Sequence, residues 1–392
     1  MLNSPFSPWP SFSEEEANAV RDVILSNKVN YWTGQECREF EKEFAAWSGT
    51  SHAIALANGT VALDLAFQAL GIGIGDEVIV TSRTFLASVS SIVNAGAVPV
   101  FADVDHDSQN ITAQTIAAVL TPRTRAIVCV HLAGWPCDMD SIMDLAGKHD
   151  LKVIEDCAQA HGAKYKGRPV GSIGHVGAWS FCQDKIMTTG GEGGMVTTNN
   201  RELWSKMWSY KDHGKSWEAV YEREHAPGFR WLHESFGTNW RMLEVQGVLG
   251  RIQLKYMEQW QEVRLANARR IWDTADQLIG LRVPAIPADC LHAAYKCYVF
   301  VEPMALKANW TRDRILNEIA ARGVPCFSGS CSEVYLEKAF DNTPWRPAER
   351  LPLARELGET SLMFMVHPTL KFSEIDRTCQ VLRDVMQEAV AG

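Results

Sequence analysis

At 392 residues the chain is too long for a single compact core, which points to two domains or to one large domain with a smaller appendage. Hydrophobic residues at 46% and charged residues at 22% are ordinary for a soluble globular protein, and a net charge of −9 sets nucleic acid aside as the main partner, because phosphate binding calls for a basic face. No stretch reaches the ~20 apolar residues of a membrane helix, and the opening MLNSPFSPWPSFSEEEANAV lacks a basic region followed by an apolar run, so a soluble cytoplasmic protein without a membrane partner is expected.

The segment from Ser4-Pro5 to Pro10 carries too many prolines for a helix and reads as an extended arm. Ser13 followed by Glu14, Glu15 and Glu16 supplies an N-cap and acids for a first turn, opening a helix that runs to about Leu25. Tyr31-Trp32-Thr33-Gly34 is a turn before a second amphipathic helix, Cys37 to Trp47, with Phe40, Phe44 and Ala45 on one face. A strand from His52 to Ala57 then leads into Asn58-Gly59-Thr60 and a helix from Val61 to Leu70. A glycine and a hydroxyl residue at a helix start expose free N–H groups, and the helix dipole adds partial positive charge there. Gly59 and Thr60 can therefore hold a phosphate without a basic side chain, although a plain N-cap would look the same.

Strands follow at Glu77 to Thr81, with Thr84-Phe85 beyond its end, at Val98 to Val104 and at Ala126 to His131, each separated by helical pattern. That alternation predicts an α/β fold with a largely parallel sheet covered on both faces. His131 at a strand end reads as a structural histidine. The ten cysteines are scattered without a Cys-x-x-Cys pair, and several sit in apolar runs. Buried free thiols in a reducing compartment are expected, with no metal site.

The stretch from Val153 to Thr198 carries the chemistry. An apolar strand, Val153-Ile154, ends in Glu155 and Asp156; a second short strand, Ala178 to Phe181, follows; Lys185 then sits in a loop closed by Gly190, Gly191, Gly193 and Gly194. Ligand sites in α/β sheets lie at the carboxyl ends of strands, which places one acid and one amine together. A pyridoxal 5'-phosphate enzyme needs both, a lysine to capture the cofactor's aldehyde and a carboxylate on the ring nitrogen to keep it protonated. Asp156 and Lys185 suit those roles. Taken singly, such an acid is more often a cap, such a lysine is solvated and such glycines mark a turn, so their joint order carries the reading.

Beyond the lysine loop, Glu202 to Tyr210 is helical, and Lys211-Asp212-His213-Gly214 opens a long irregular region reaching about Asn239. Loops of that length tend to be functional. Its Trp217, Tyr221, His225, Arg230, Trp231 and His233 suit a sugar ring and a diphosphate, or equally a subunit contact. Leu243 to about Leu278 is a long helical pattern, and Pro284 and Pro287 mark a linker. Tyr298 to Phe300 as strand, with Arg312 to Arg322 and Ile375 to Ala389 as helices, reads as a small α/β domain. The expected division is an arm and helix over 1–30, a large cofactor-binding domain over 31–242, a connecting helix and linker over 243–283, and a small C-terminal domain over 284–392.

The central stretch resembles the sugar aminotransferases of the DegT/DnrJ/EryC1/StrS family, whose pattern stands here as Glu155-Asp156, Gln159, Ser180-Phe181, Lys185 and Gly191-Glu192-Gly193-Gly194. The resemblance runs from Trp32-Thr33-Gly34 to the segment around His367-Pro368 and implies fold type I, like aspartate aminotransferase, with a large mostly parallel sheet domain and a smaller C-terminal one. It implies that Gln159 bonds the hydroxyl oxygen of the pyridine ring, that Phe85 lies against the ring face, and that Ser180 joins Gly59 and Thr60 at the phosphate. Gly237-Thr238-Asn239-Trp240-Arg241-Met242 is similar to the family segment Gly-x-Asn-x-Arg-Met, whose asparagine reaches the neighbouring subunit's cofactor phosphate. Asn239 would then complete a second active site in a homodimer.

The resemblance further implies transamination from L-glutamate to a nucleotide-linked keto-deoxyhexose. Carbon 4 is favoured and carbon 3 is the runner-up, and the product would serve lipopolysaccharide O-antigen or other aminosugar biosynthesis. The family also holds sugar dehydratases with histidine in place of the lysine, and Lys185 argues against that branch. A regulatory protein on a disabled version of the same fold is the reading from another class; the intact lysine, acid and phosphate loop favour an enzyme.

Overall fold

Short apolar strands alternating with amphipathic helices build the main sheet of the computed structural model, which describes residues 6–225, 227–228 and 230–390. Ser4 and Pro5, where the expected arm begins, lie outside the described residues. The strands of the first part of the chain are β1 (His52–Leu56), β2 (Glu77–Thr81), β3 (Val98–Ala102), β4 (Thr124–Val130), β5 (Lys152–Asp156), β6 (Lys164–Tyr165), β7 (Arg168–Pro169), β8 (Val176–Ser180) and β9 (Gly194–Thr198). Seven of them pair in the order β1-β9-β8-β5-β4-β2-β3. Only β9 runs against the rest, pairing antiparallel with both β1 and β8.

The two faces of this sheet are read directly from residue alternation. Val78, Val80, Val128 and Ile154 pack on one side with Leu63 and Phe67 of the helix Gly59–Leu70. Their neighbours Ile79, Ile127, Cys129 and Val153 pack on the other with Met139 and Ile142 of the helix Met139–Lys148. Strands covered twice are apolar at nearly every position, which is why they show little polar alternation. A capping box between Ser13 and Glu16 starts the helix Glu14–Leu25, as the sequence predicts.

The later strands are β10 (Leu281–Arg282), β11 (Cys290–Leu291), β12 (Cys297–Val301), β13 (Cys326–Phe327) and β14 (Ser361–Phe364). β10, β12, β14 and β13 form a second sheet in that order, while β11 joins the hairpin β6–β7. The long helix Glu244–Ala275 lies against the helices Glu14–Leu25 and Glu36–Trp47 and against the helix Phe372–Ala389. Its Ala268, Ile271, Trp272 and Ala275 enter the core of the second sheet. All ten cysteines are free, most of them buried. Among the described residues, no helix is long and apolar enough to cross a membrane.

Three local expectations are corrected. The third strand stops at Ala102 instead of Val104, because the Asp103 carboxylate turns to accept from Leu353 N (3.0 Å) and Ala354 N (2.9 Å), capping the helix Pro352–Thr360. β13, β14 and that helix were not anticipated. The region 211–239 is not wholly irregular, since Trp217–Tyr221 is helical. Asp212 within it is fully buried and accepts from Lys215 Nζ (2.9 Å) and Arg241 Nη1 (2.6 Å), so these charges fasten the loop to the fold. Lys211 is buried 3.5 Å from the centre of the Tyr31 ring. Trp217 packs on Tyr221, whereas Trp231 is 92% exposed.

Three buried histidines make acid sensitivity a consequence of this packing. Burial pushes His161, His292 and His367 down to about 3, with Arg264 adding to the effect at His161 and His367. The unfolded chain binds these protons near pH 6.5 and the folded chain does not, so stability should fall as pH drops below about 6.5. At pH 5 each histidine costs about 2 kcal/mol by linkage. Urea midpoints measured from pH 7.5 to 5 should therefore fall steeply below pH 6.5, and a flat profile would contradict burial as neutral imidazoles.

Candidate active site

A cavity of about 1210 Å³ opens at the carboxyl ends of β1, β2, β5 and β8 and is closed opposite them by Tyr295, Lys296, Tyr298 and the loop 327–331. Gly59, Thr60, Phe85, Asp156, Gln159, Ser180 and Lys185 all line it. Asn239 does not; it is exposed, in a bridge with Asp212.

One end of the cavity is an anion cradle. Asn58 caps the helix Gly59–Leu70 by accepting from Val61 N at 3.0 Å, and the N–H groups of Gly59 and Thr60 have no carbonyl one turn back to bond. Ser180 closes the cradle: a Cβ on Gly59 would lie 2.5 Å from Ser180 Cβ and 3.0 Å from its Oγ. The close approach of helix start and strand end thus demands glycine. Gly59→Ala should weaken cofactor binding about 10-fold or more, the affinity equivalent of the 1–3 kcal/mol that overpacking costs, as read by titrating apoprotein with pyridoxal phosphate. Wild-type affinity in that variant would remove the cradle from its role.

Asp156 stands 6% exposed at the end of β5. Ser88 Oγ donates to its Oδ2 (2.7 Å) and Ala158 N to its Oδ1 (3.1 Å); Ser88 Oγ also lies 2.8 Å from Thr84 Oγ1. With a donor on each oxygen, the carboxylate is fixed in orientation at the strand end. Gln159 Oε1 accepts from Ala133 N at 2.9 Å, which leaves its amide N–H groups as donors toward the cavity. Phe85 is 71% exposed, so it is not a core residue. His131 is fully buried, bonding Glu155 through Nε2 (3.0 Å) and accepting from Cys137 N at Nδ1 (3.0 Å), a structural histidine as expected.

Lys185 is positioned from several directions. Its carbonyl accepts from Trp9 Nε1 at 2.8 Å, and its ammonium lies 5.2 Å from the centre of the Tyr295 ring. Trp9 itself packs edge-on against Trp260 and stacks on His367. The glycine loop is held by the long helix, with Gln246 Nε2 donating to Glu192 O (2.7 Å) and Gln253 Oε1 accepting from Thr188 N (2.8 Å). Tyr295 Oη donates to Asp184 Oδ2 at 2.6 Å. Burial alone would raise the Asp184 carboxyl, but Lys185 and the Tyr295 bond hold it below its usual range.

An anion cradle free of basic side chains, a doubly bonded carboxylate and an amine on one cavity form the donor set that pyridoxal phosphate requires. Sequence reasoning missed Ser88, Trp9, Asp184, Tyr295 and Lys296. Asp184 had a signal in its adjacency to Lys185; the other four reach the site only through tertiary packing.

The sequence profile of the DegT/DnrJ/EryC1/StrS aminotransferase family matches residues 10–383. The fold superposes on the X-ray structure of an aminotransferase from Psychrobacter cryohalolentis with a TM-score of 0.96, at 66% identity, covering 98% of this chain and 99% of that one. A GDP-perosamine synthase from Caulobacter vibrioides is 36% identical over 93% of this chain and 95% of its own length. A UDP-N-acetyl-3-dehydro-alpha-D-glucosamine 3-aminotransferase from Acidithiobacillus ferrooxidans is also 36% identical, over 93% of this chain and 94% of its own. The chain belongs to the DegT/DnrJ/EryC1/StrS aminotransferase family and is a fold type I, pyridoxal phosphate-dependent sugar transaminase.

Proposed function

We propose that this transaminase moves the amino group of L-glutamate to carbon 4 of a nucleotide-linked keto-deoxyhexose, supplying an aminosugar for a surface polysaccharide. The observation that carries the reading is the single cavity holding Asp156, Lys185 and the Gly59–Thr60–Ser180 cradle, with a volume of about 1210 Å³ that leaves room for a sugar nucleotide beside the cofactor. Carbon 3 is the second reading, favoured by the relative named as a 3-aminotransferase, which is as similar to this chain as the perosamine synthase.

Within that reading each residue has one task. When bound, pyridoxal phosphate supplies the electron sink and carries the amino group between the two substrates. Gly59, Thr60 and Ser180 hold the phosphate, Gln159 donates to the ring hydroxyl oxygen, and Phe85 covers the ring face. Asp156 keeps the ring nitrogen protonated. Lys185 would supply the amine that holds the cofactor's aldehyde and the base that takes the α proton of the donor and later returns one. Residues 31–242 carry these groups, and residues 284–392 close the cavity from the other side. Asn239, exposed and outside its own cavity, is assigned to the phosphate of a second copy in a cytoplasmic homodimer.

The test is a pair of half-reactions. Holoenzyme mixed with L-glutamate should release one equivalent of 2-oxoglutarate per site and then stop. Adding UDP-, dTDP- or GDP-linked 4-keto-6-deoxyhexose should restart release, and NMR of the product fixes the aminated carbon. No 2-oxoglutarate from glutamate overturns the donor; restart by a 3-ketosugar alone overturns carbon 4.

A further inference from the structure

The wall of the cavity facing the sheet carries a second amine that the reaction outlined above does not use. Lys296, at the foot of β12, lines the cavity with its side chain 15% exposed. Its ammonium lies 4.7 Å from the centre of the Tyr295 ring, and the Lys185 ammonium lies 5.2 Å from the same centre. Its one carboxylate neighbour, Asp184, stands 3.9 Å from Nζ, beyond hydrogen-bond reach, and is already bonded by Tyr295 Oη. Among the described residues, Lys296 Nζ thus faces the cavity without an acceptor.

The surroundings carry excess positive charge. Asp184 is the one carboxylate acting on both Lys296 and the fully buried Arg264, and it also feels the charge of Lys185. Arg264 Nε and Nη2 have no hydrogen-bond acceptor among the described residues, and its guanidinium lies 4.9 Å from the centre of the Trp9 ring. Burial first, then Lys185 and Arg264, depress His161; burial, then Arg264 and Lys296, depress His367. Burial together with Arg264 and Lys185 brings Lys296 down to about 8 against the pull of Asp184. An anion placed at Lys296 would be attracted by every one of these cations, and a buried ammonium lacking an acceptor gains most from a charged one.

The two substrates differ in where they carry negative charge. An amino acid donor has a carboxylate one bond from the carbon that exchanges its nitrogen, so that carboxylate must sit close to Lys185. A nucleotide ketosugar carries its phosphates on the far side of the hexose from the reacting carbonyl. We propose that Lys296 is the anchor for the carboxylate of the amino donor, with the hydroxyls of Ser328 and Ser330 on the facing loop as further donors. This rests on the transamination reading above and adds to it the residue that selects an amino acid over an amine. The facing loop is shaped for closeness: Gly329 has φ +87, and a Cβ there would lie 2.3 Å from Tyr298 Oη, while Ser330 N donates to that oxygen at 2.8 Å. Lysine serves as a point charge in this setting, so arginine, which keeps the charge, should preserve much of the effect.

Binding to the holoenzyme decides the matter without turnover. Glutarate, a dicarboxylate with no amine to react, is titrated by calorimetry into wild type, Lys296→Met and Lys296→Arg, and UDP, dTDP and GDP are titrated in parallel. The methionine variant should bind glutarate at least 10-fold more weakly, the arginine variant within about 3-fold of wild type, and the nucleoside diphosphate that wild type binds should be held equally by all three. In the donor half-reaction, KM for glutamate should rise in Lys296→Met while the ketosugar half-reaction is unchanged. Undetectable glutarate binding by wild type, unaltered binding in Lys296→Met, or weakened nucleotide binding in its place overturns the assignment. Nucleotide binding also reports folding, and Lys296→Gln substitutes should the methionine variant not fold. Failure of wild type to release 2-oxoglutarate from glutamate would instead strike the transamination reading itself, which separates the two outcomes.

Discussion

Lys185→Ala is expected to lower turnover by at least about 10³-fold while leaving pyridoxal phosphate bound. Two contributions disappear together, the covalent capture of the aldehyde and the proton transfer at the substrate carbon, and acid–base catalysis alone is worth about 10²- to 10⁴-fold. The cradle at Gly59 and Ser180 and the carboxylate of Asp156 do not depend on the lysine side chain, so affinity survives. Arginine should be no better than alanine, because a guanidinium stays protonated at any working pH and can neither attack a carbonyl nor accept a proton. Borohydride treatment followed by peptide mass mapping should place the cofactor on Lys185 in wild type and on no lysine in the variant. Methylamine, small enough to enter the vacated space, should restore part of the activity to Lys185→Ala and none to wild type. Turnover within 10-fold of wild type, or a cofactor mapped to Lys296, would move the chemistry to the other amine.

What the sequence could and could not disclose follows from how far each contact reaches along the chain. Asp156, Gly59 and the glycines around Lys185 sit at the ends of short strands and helices, where local pattern and turn chemistry mark them. The same is true of the parallel sheet, whose strands are apolar at consecutive positions because both faces are covered. Ser88 meets Asp156 across 68 residues, Trp9 meets the Lys185 carbonyl across 176, and Tyr295 meets Asp184 across 111. No periodicity carries such pairings. The two-residue β13 and the four-residue β14 are too short to announce themselves, and their place in the second sheet comes from the partners they find. Asp103 shows the limit in the other direction: its neighbours Val98 to Val104 read as one strand, yet its carboxylate ends the strand by capping a helix about 250 residues later. The side wall of the cavity, with Lys296, was hidden for the same reason.

The second large effect is expected at the other end of the cofactor ring. Asp156→Asn keeps the size of the side chain and removes its charge, so a ring nitrogen held protonated by the carboxylate loses its counter-ion in a site only 6% exposed. Breaking such a buried pair costs about 3–5 kcal/mol, which converts to a loss of roughly 10²- to 10⁴-fold in turnover. The neighbours make the change worse than isosteric. Ser88 Oγ donates to Oδ2 and Ala158 N to Oδ1, so an asparagine must either present its N–H₂ to one of these donors or force the Ser88 hydroxyl to turn. Ser88→Ala is the milder counterpart: it removes one donor and leaves the charge, and a loss of about 10-fold at most is expected. The ordering separates charge from packing. If Asp156→Asn keeps turnover within 3-fold of wild type while Ser88→Ala does not, the carboxylate serves as a packing group and the ring is held cationic by something else. If both fall in the expected order, with wild-type urea midpoints at pH 7.5, the negative charge itself at the end of β5 is what turns this aldehyde-binding cavity into a transaminase.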